Sequence, residues 1–371
     1  MKKNFDFYIL LSVICLLLIG TLNIFSQTQI QYKDYPIRKQ IFIKHLILIL
    51  ISIASGIVFY FLNLEKIIKS YFIPISIMML ILLLLPIIFR KSVEINGSYR
   101  WITFKYFSIQ PSEISKLYLI LTFSSWFSKK KDSQYSFKND LLFPLIIATI
   151  ILFLIFIQKD LSTSFLIGVF LIVTFIIIGV PTITIIYFLL LTLSIFIILI
   201  FSEQYRINRI IAFLIPKANI SSLSFQNFQA LRFIGLGGLF GKGLGWTMSN
   251  GEYLPLSFSD FAFASIVCEF GIVGGIFILF CYIIILVRGY IICHDTSNQF
   301  DFLLASFSIS MLLIQVFINA SVALNLIPPT GVTLPFVSYG GSSLIVSMIM
   351  ISILLKIRVK TKTRFEIYGS G

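Results

Sequence analysis

Apolar runs of membrane length recur along the whole chain. They fall near 8–26, 41–63, 71–89, 110–128, 141–157, 161–180, 182–201, 262–287, 302–327 and 336–356. A span needs about 20 largely apolar residues. None of the runs shows the period-two alternation of a barrel strand, and hydrocarbon tolerates no unpaired backbone groups, so the spans are predicted to be helices. The pattern therefore predicts an all-α polytopic membrane protein with about ten transmembrane helices. The division of 161–180 from 182–201 rests on the breakers Gly179-Val180-Pro181. Three polar stretches interrupt the pattern, at 90–110, 202–260 and 328–343. The second is predicted to be a large extracytoplasmic loop between helices 7 and 8. The third is too apolar for a solvated loop and too broken by Pro and Gly for a helix. It reads as a re-entrant segment or a cavity wall.

Composition agrees. The 371 residues are 58% hydrophobic and only 12% charged, with a mean hydropathy of +0.99, so the bilayer is the solvent for most of the chain. Residues 1–371 read as a single integral membrane domain without internal repeats. Lys2 and Lys3 precede the first run, which ends without a small-residue cleavage site and reads as a retained span. The formal charge of +14 does not indicate nucleic acid, because the basic residues flank spans. Lys2-Lys3, Lys129-Lys130-Lys131 and the tail residues Lys356, Arg358, Lys360, Lys362 and Arg364 share one side if both termini are cytoplasmic. Basic residues elsewhere balance them, several in the long 202–260 loop, where length weakens their influence. Cys15, Cys268, Cys281 and Cys293 do not form a secreted disulfide framework, and His45 and His294 lack ligand spacing. No metal site is predicted.

Several polar groups stand out against this apolar background. Asp260 lies where the long loop gives way to an apolar helix, and it is the strongest proton acceptor in the loop's last stretch. Considered alone, it reads as an acid favoured by the helix dipole. Glu269, ahead of Gly271, Gly274 and Gly275, reads as a structural residue of tight helix packing. Gln110-Pro111-Ser112-Glu113 is a helix start, with Glu113 and Lys116 on one face as a buried ion pair that orients the helix. Direct chemistry is the alternative for that pair. Arg100 beside Trp101 suits either interface anchoring or an anionic headgroup. Gln158-Lys159-Asp160 is a charged break between two spans, either a polar turn or a substrate contact. Arg206 and Arg209 share a helical face and suit either a pyrophosphate or acidic lipid. Gly235 to Gly245, with Lys242, lacks the spacing of a nucleotide loop and suits close backbone approach instead.

Taken together, these strings resemble the SEDS family, the shape, elongation, division and sporulation membrane proteins. The resemblance is carried by Gly97-Ser98-Tyr99-Arg100-Trp101-Ile102, by Gln110-Pro111-Ser112-Glu113 with Lys116, and by Gln158 with Asp160-Leu161. It continues through Gly237-Gly238, Gly241-Lys242-Gly243-Leu244-Gly245, Leu254-Pro255, Asp260-Phe261, Glu269 and Gly271. It closes with Asn319, Pro328 to Gly331, and Leu334-Pro335-Phe336 through Ser338-Tyr339-Gly340-Gly341-Ser342-Ser343. The spacing from Gly243 to Thr247 and the Tyr253-Leu254-Pro255 string look more like the division branch than the elongation branch. The chain departs from the family at Lys159, Leu256, Phe258-Ser259 and Cys268.

The resemblance implies a peptidoglycan glycosyltransferase that polymerises lipid II at the outer face of the bacterial cytoplasmic membrane, for division or cell shape. It implies a class B penicillin-binding protein as partner, together with other divisome or elongasome membrane proteins. Asp260 is then the expected catalytic base. Arg100, Arg206, Arg209, Lys242, Gln158, Asp160, Ser338 and Ser342 are the expected substrate-binding residues, and Glu113, Lys116 and Glu269 the structural ones. No cofactor is required; a divalent cation is compatible with the reaction, although no ligand set demands one. Two other classes fit the same chain. A lipid II flippase would need charged residues along a path through the spans, and a non-catalytic scaffold for the transpeptidase would tolerate loss of Asp260.

Overall fold

A computed structural model describes residues 5–29, 35–89, 99–104, 108–130, 140–201, 204–214, 222–246, 254 and 256–368. All ten predicted runs fall on helices: α1 (Phe7–Gln29), α2 (Tyr35–Phe61), α4 (Phe72–Ile88), α5 (Pro111–Phe127), α6 (Leu142–Ile157), α7 (Leu161–Ile178), α8 (Thr182–Phe201), α11 (Ala262–His294), α12 (Gln299–Ala323) and α13 (Gly341–Tyr368). By length and apolarity, α1, α2, α7, α11, α12 and α13 can each cross a membrane. The short α3 (Leu64–Ser70) and α4, bent by 85° at their junction, form a seventh candidate. The protein is an all-α polytopic membrane protein.

Local chemistry sets the helix ends. Pro111 opens α5 with Glu113 in its first turn. Asp160 caps α7, its side chain accepting from Thr163 N. Gly179 closes α7 in the left-handed conformation, φ 79°, where a Cβ is disfavoured. That residue makes the break between α7 and α8.

Three features depart from the sequence reading. The 202–260 stretch is not simply a loop. It contains α9 (Gln204–Leu214) and α10 (Ser222–Gly237), and α10 packs along α11. Helix α9 is short and amphipathic and α10 is interrupted by polar residues, so neither reads as an apolar run of membrane length. Helix α3 was not foreseen either, because it continues the polarity of the α2–α4 link. A two-residue antiparallel ribbon, β1 (Ile102–Thr103) with β2 (Ser108–Ile109), lies just ahead of α5.

The packing gives the bundle two distinct ends. One end gathers the N-termini of α5, α7, α11 and α13 and the C-termini of α1 and α12. Ser342 Oγ, at the start of α13, accepts from Gln110 N at 3.0 Å; Asn319, near the end of α12, bonds to Asp260 O at 2.9 Å. The irregular segment 324–340 is held here, with Leu334, Phe336 and Val337 at most 1% exposed. Tyr282 of α11 donates to Pro335 O, and Gly20 of α1 lies against the Val337 carbonyl, where a side chain would not fit. At the other end, Arg288 of α11 binds Asp6 ahead of α1 (Nη2 to Oδ2, 2.6 Å), Arg358 of α13 binds Asp295, and Lys360 binds Asp301 of α12. All four cysteines are free thiols.

Candidate active site

The site grows from a carboxylate that never meets water. Asp160 is 0% exposed. Its Oδ2 accepts from Gln110 Nε2 and Ser112 Oγ, both at 2.8 Å, and from Thr163 Oγ1 at 2.9 Å; Oδ1 accepts from Thr163 N at 3.3 Å. The start of α5 and the start of α7 are thus tied through one residue. Burial alone would raise this carboxyl's pKa, but the charge of Arg100 and the bonds from Ser112 and Thr163 outweigh it and hold the pKa below the usual carboxylate range. Arg100 Nη1 sits 3.4 Å from Asp160 Oδ1. The anion under it fixes the guanidinium.

Asp260 comes near the same guanidinium at Gly331. It is half-buried, two residues ahead of α11. The point where a Cβ would stand on Gly331 has Arg100 Nη1 at 3.5 Å, Arg100 Nη2 at 3.6 Å and Asp260 Oδ2 at 3.6 Å as its nearest neighbours. Three parts of the chain, more than 60 residues apart, converge on one small volume. Asn319 holds two of them together: its Nδ2 donates to Asp260 O at 2.9 Å and to Val332 O at 2.8 Å. Gly331 N donates to Ser162 Oγ at 2.9 Å, tying the irregular segment to α7.

The remaining predicted residues divide by what they touch. Gln158 is fully buried and donates to Leu83 O at 2.6 Å. Ser338 Oγ donates to Ser259 O at 2.6 Å and accepts from Leu334 N at 2.9 Å, which sets the backbone just ahead of Asp260. Ser342 receives the Gln110 amide. Of the expected substrate contacts, Asp160, Ser338 and Ser342 bond to protein groups, and Gln158 does so through Nε2 while its Oε1 is buried without a partner. A small polar residue in a signature string says nothing about which way it bonds. Lys242 is exposed on a turn whose backbone amide bonds to Cys268 O. Arg206 and Arg209 lie on α9, and their side chains fall outside the described part of the structure, as do Gly97, Ser98, Thr247, Tyr253 and Pro255 of the signature strings.

Glu113 and Lys116 form a buried ion pair at 2.5 Å inside the bundle. Glu269 sits in a separate polar cage below the site. Its Oε1 accepts from Ser26, from Gln27 Nε2 at 3.0 Å and from Gly245 N at 3.2 Å. The glycine-rich turn lies on the α11 kink at Gly271 (φ 73°, ψ −176°). Gly243 N bonds to Glu269 O, and Gly241 approaches Gly271 too closely for either to carry a side chain. Among the described residues, no group of three or more His, Cys, Asp and Glu converges as metal ligands would.

The family model of the FtsW/RodA/SpoVE cell cycle proteins matches residues 6–363. The chain belongs to this family. It is 33% identical to the stage V sporulation protein E of Bacillus subtilis, covering 96% of this chain and 97% of that one. It is 34% identical to the probable peptidoglycan glycosyltransferase FtsW of Buchnera aphidicola, covering 96% and 94%. Among solved structures, a chain from a peptidoglycan synthase complex that coordinates polymerization and crosslinking matches with a TM-score of 0.75, 24% identity and coverage of 98% and 99%. The rod shape determining protein RodA of Thermus thermophilus matches with a TM-score of 0.68, 23% identity and coverage of 95% and 97%. The SEDS resemblance therefore holds over nearly the whole chain.

Sequence reasoning missed the parts that join the site. Ser112, Thr163, Ser162 and Asn319 had no assigned role, and Gly331 was only one letter in a motif. The capping pattern of Asp160 with Thr163 three residues on was the one local signal available.

Proposed function

We infer that this membrane protein is a peptidoglycan glycosyltransferase that polymerises lipid II into glycan strands. Relatives sharing 30–36% identity are named as probable enzymes of this kind. The observation that carries the mechanism is Asp260, a half-buried carboxylate near Arg100 at Gly331, at the mouth of α11.

The reaction joins the hydroxyl oxygen of an acceptor sugar to the anomeric carbon of a donor sugar. The bond from that carbon to the polyprenyl pyrophosphate breaks, and the pyrophosphate leaves with the electron pair. Asp260 takes the hydroxyl proton, a contribution typically of about 10²–10⁴-fold. Arg206, Arg209 and Lys242 offer positive charge to the departing pyrophosphate. Asp160 positions Arg100, while Ser338 and Asn319 position the backbone around Asp260.

The site faces outward from the bacterial cytoplasmic membrane, and both termini face the cytoplasm. Support comes from the opposite end of the bundle, which collects Lys66, Lys69, Lys129, Lys130, Arg288, Lys356, Arg358 and Lys360; several of the basic residues that balance them lie in the long 202–260 stretch, whose length weakens their influence on orientation. A class B penicillin-binding protein is the expected partner for crosslinking.

One reconstitution tests the reading. The purified chain and its cognate transpeptidase are given lipid II in vesicles, and products are separated by length. Wild type yields polymer and Asp260→Asn does not. Equal polymer from both would remove Asp260 from the chemistry, and lipid II crossing the bilayer without polymer would favour a flippase.

A further inference from the structure

We propose that Gly331 forms the floor of the acceptor-hydroxyl subsite, and that its missing side chain is the space in which the reacting hydroxyl sits. The proposal deepens the glycosyltransferase reading and rests on it.

Gly331 does not occupy the left-handed backbone region, so conformational freedom does not explain a glycine there. Nor does backbone crowding. A Cβ would lie at ordinary van der Waals distance, and its three nearest neighbours are all charged atoms, those of Arg100 and Asp260. A methyl group would fit the fold while occupying a point in contact with both the guanidinium and the carboxylate. The segment cannot easily swing aside. Ser162 holds the Gly331 amide, and Asn319 ties the next carbonyl, Val332 O, to the carbonyl of Asp260.

Two neighbouring polar atoms have been left for something else. Arg100 Nε and Thr330 Oγ1 are buried with no hydrogen-bond partner. Such atoms cost free energy unless a ligand or water completes them.

The charge arrangement selects the ligand. Arg100 is already answered by Asp160 and flanked by Asp260, two anions to one cation. A pyrophosphate oxygen placed at Gly331 would meet the Asp260 carboxylate at close range and be repelled. A sugar hydroxyl both donates and accepts. It can give its proton to Asp260 while its oxygen receives a bond from Arg100. This moves Arg100 from the pyrophosphate group, where the sequence placed it as a headgroup contact, to the acceptor side.

The test uses the full-length chain with its cognate transpeptidase in vesicles. Gly331→Ala is expected to lower the polymerisation rate at saturating lipid II at least tenfold. Its thermal midpoint and its affinity for undecaprenyl pyrophosphate, which carries the phosphates without the sugar, are expected to match wild type. Gly168→Ala, at an open position on α7, is expected to leave both unchanged. Wild-type polymerisation by Gly331→Ala overturns the assignment, and so does a tenfold loss of undecaprenyl pyrophosphate affinity, which would place phosphate in that space. Absence of polymer from wild type overturns the glycosyltransferase reading as well. If Gly331→Ala does not fold, Ser162 decides. Ser162→Ala frees the Gly331 amide and is expected to slow polymerisation severalfold, with Ser162→Thr restoring it; equal rates for all three proteins overturn the proposal.

Discussion

The two ends of the bundle spend their charges differently. At the end near α13's C-terminus, Asp6 meets Arg288 of α11, while Asp295 and Asp301 meet Arg358 and Lys360, both of α13. These pairs join α1, α11, α12 and α13, although Arg358 Nε among them is buried without a hydrogen-bond partner. At the other end, Arg100 pairs with a sealed carboxylate, Asp160, and lies with a half-buried one, Asp260, around Gly331. One end is a clamp of one acid to one cation, while the other gathers two carboxylates near one guanidinium, the half-buried one beside Gly331. Ion pairs in a membrane protein do not identify a site by their presence. The informative property is the balance of charge within the group and whether one member of it is left half-buried.

That contrast breaks most visibly at Asp260. Asp260→Asn is expected to reduce lipid II polymerisation by about 10²–10⁴-fold, while the thermal midpoint in detergent stays within a few degrees of wild type. A large loss of stability with proportionate loss of activity would put Asp260 in the architecture instead.

Asp160 should behave in the opposite manner. Removing one member of a buried, hydrogen-bonded pair typically costs about 3–5 kcal/mol, so Asp160→Ala is expected to lower the unfolding midpoint markedly and take activity with it. The pH dependence has a defined sign. The folded-state pKa of Asp160 lies below its ordinary value, so its contribution is present above the ordinary carboxylate range and is lost as pH falls through the lower, folded value. The stability gap between wild type and the variant is therefore expected to be full at neutral pH and to close only below about pH 4. A gap that closes between pH 6 and 8 would assign it to another group.

At the clamp, Asp6→Asn weakens a bond from Arg288 to a buried carboxylate. It is expected to cost about 1–3 kcal/mol of stability with the polymerisation rate unchanged at temperatures where the variant is folded. A selective loss of rate would join the two ends functionally. The smallest effect is the sharpest: Asp6→Asn and Asp160→Ala are far apart, so their stability losses should add to within about 0.3–0.5 kcal/mol in the double variant.

Much of the fold was legible because hydrocarbon imposes a simple rule. A long apolar run must be a helix, and all ten runs are. The break at Gly179 was legible for the same kind of reason, as was the pairing of Glu113 with Lys116 three residues on. The helices α9 and α10 were not, since their patterns compete with stronger neighbours. Within the site, Asp260 stood out through its position at a polar-to-apolar boundary. Gln158, Ser338 and Ser342 stood out because they sit in the signature strings, but the protein groups they bond, Leu83 O, Ser259 O and Gln110 N, are not written in a string.

The sequence by itself determined the solvent, the helices and the identity of the acid at the mouth of α11, because burial cost and hydrogen-bond satisfaction act on local runs of residues. Only the tertiary structure decided that Arg100 pairs with Asp160 and comes near Asp260, that Asn319 ties two carbonyls across the site, and that Gly331 lies against both Arg100 and Asp260. Those relations join residues up to some 230 positions apart, and they depend on which helix ends the packing brings together.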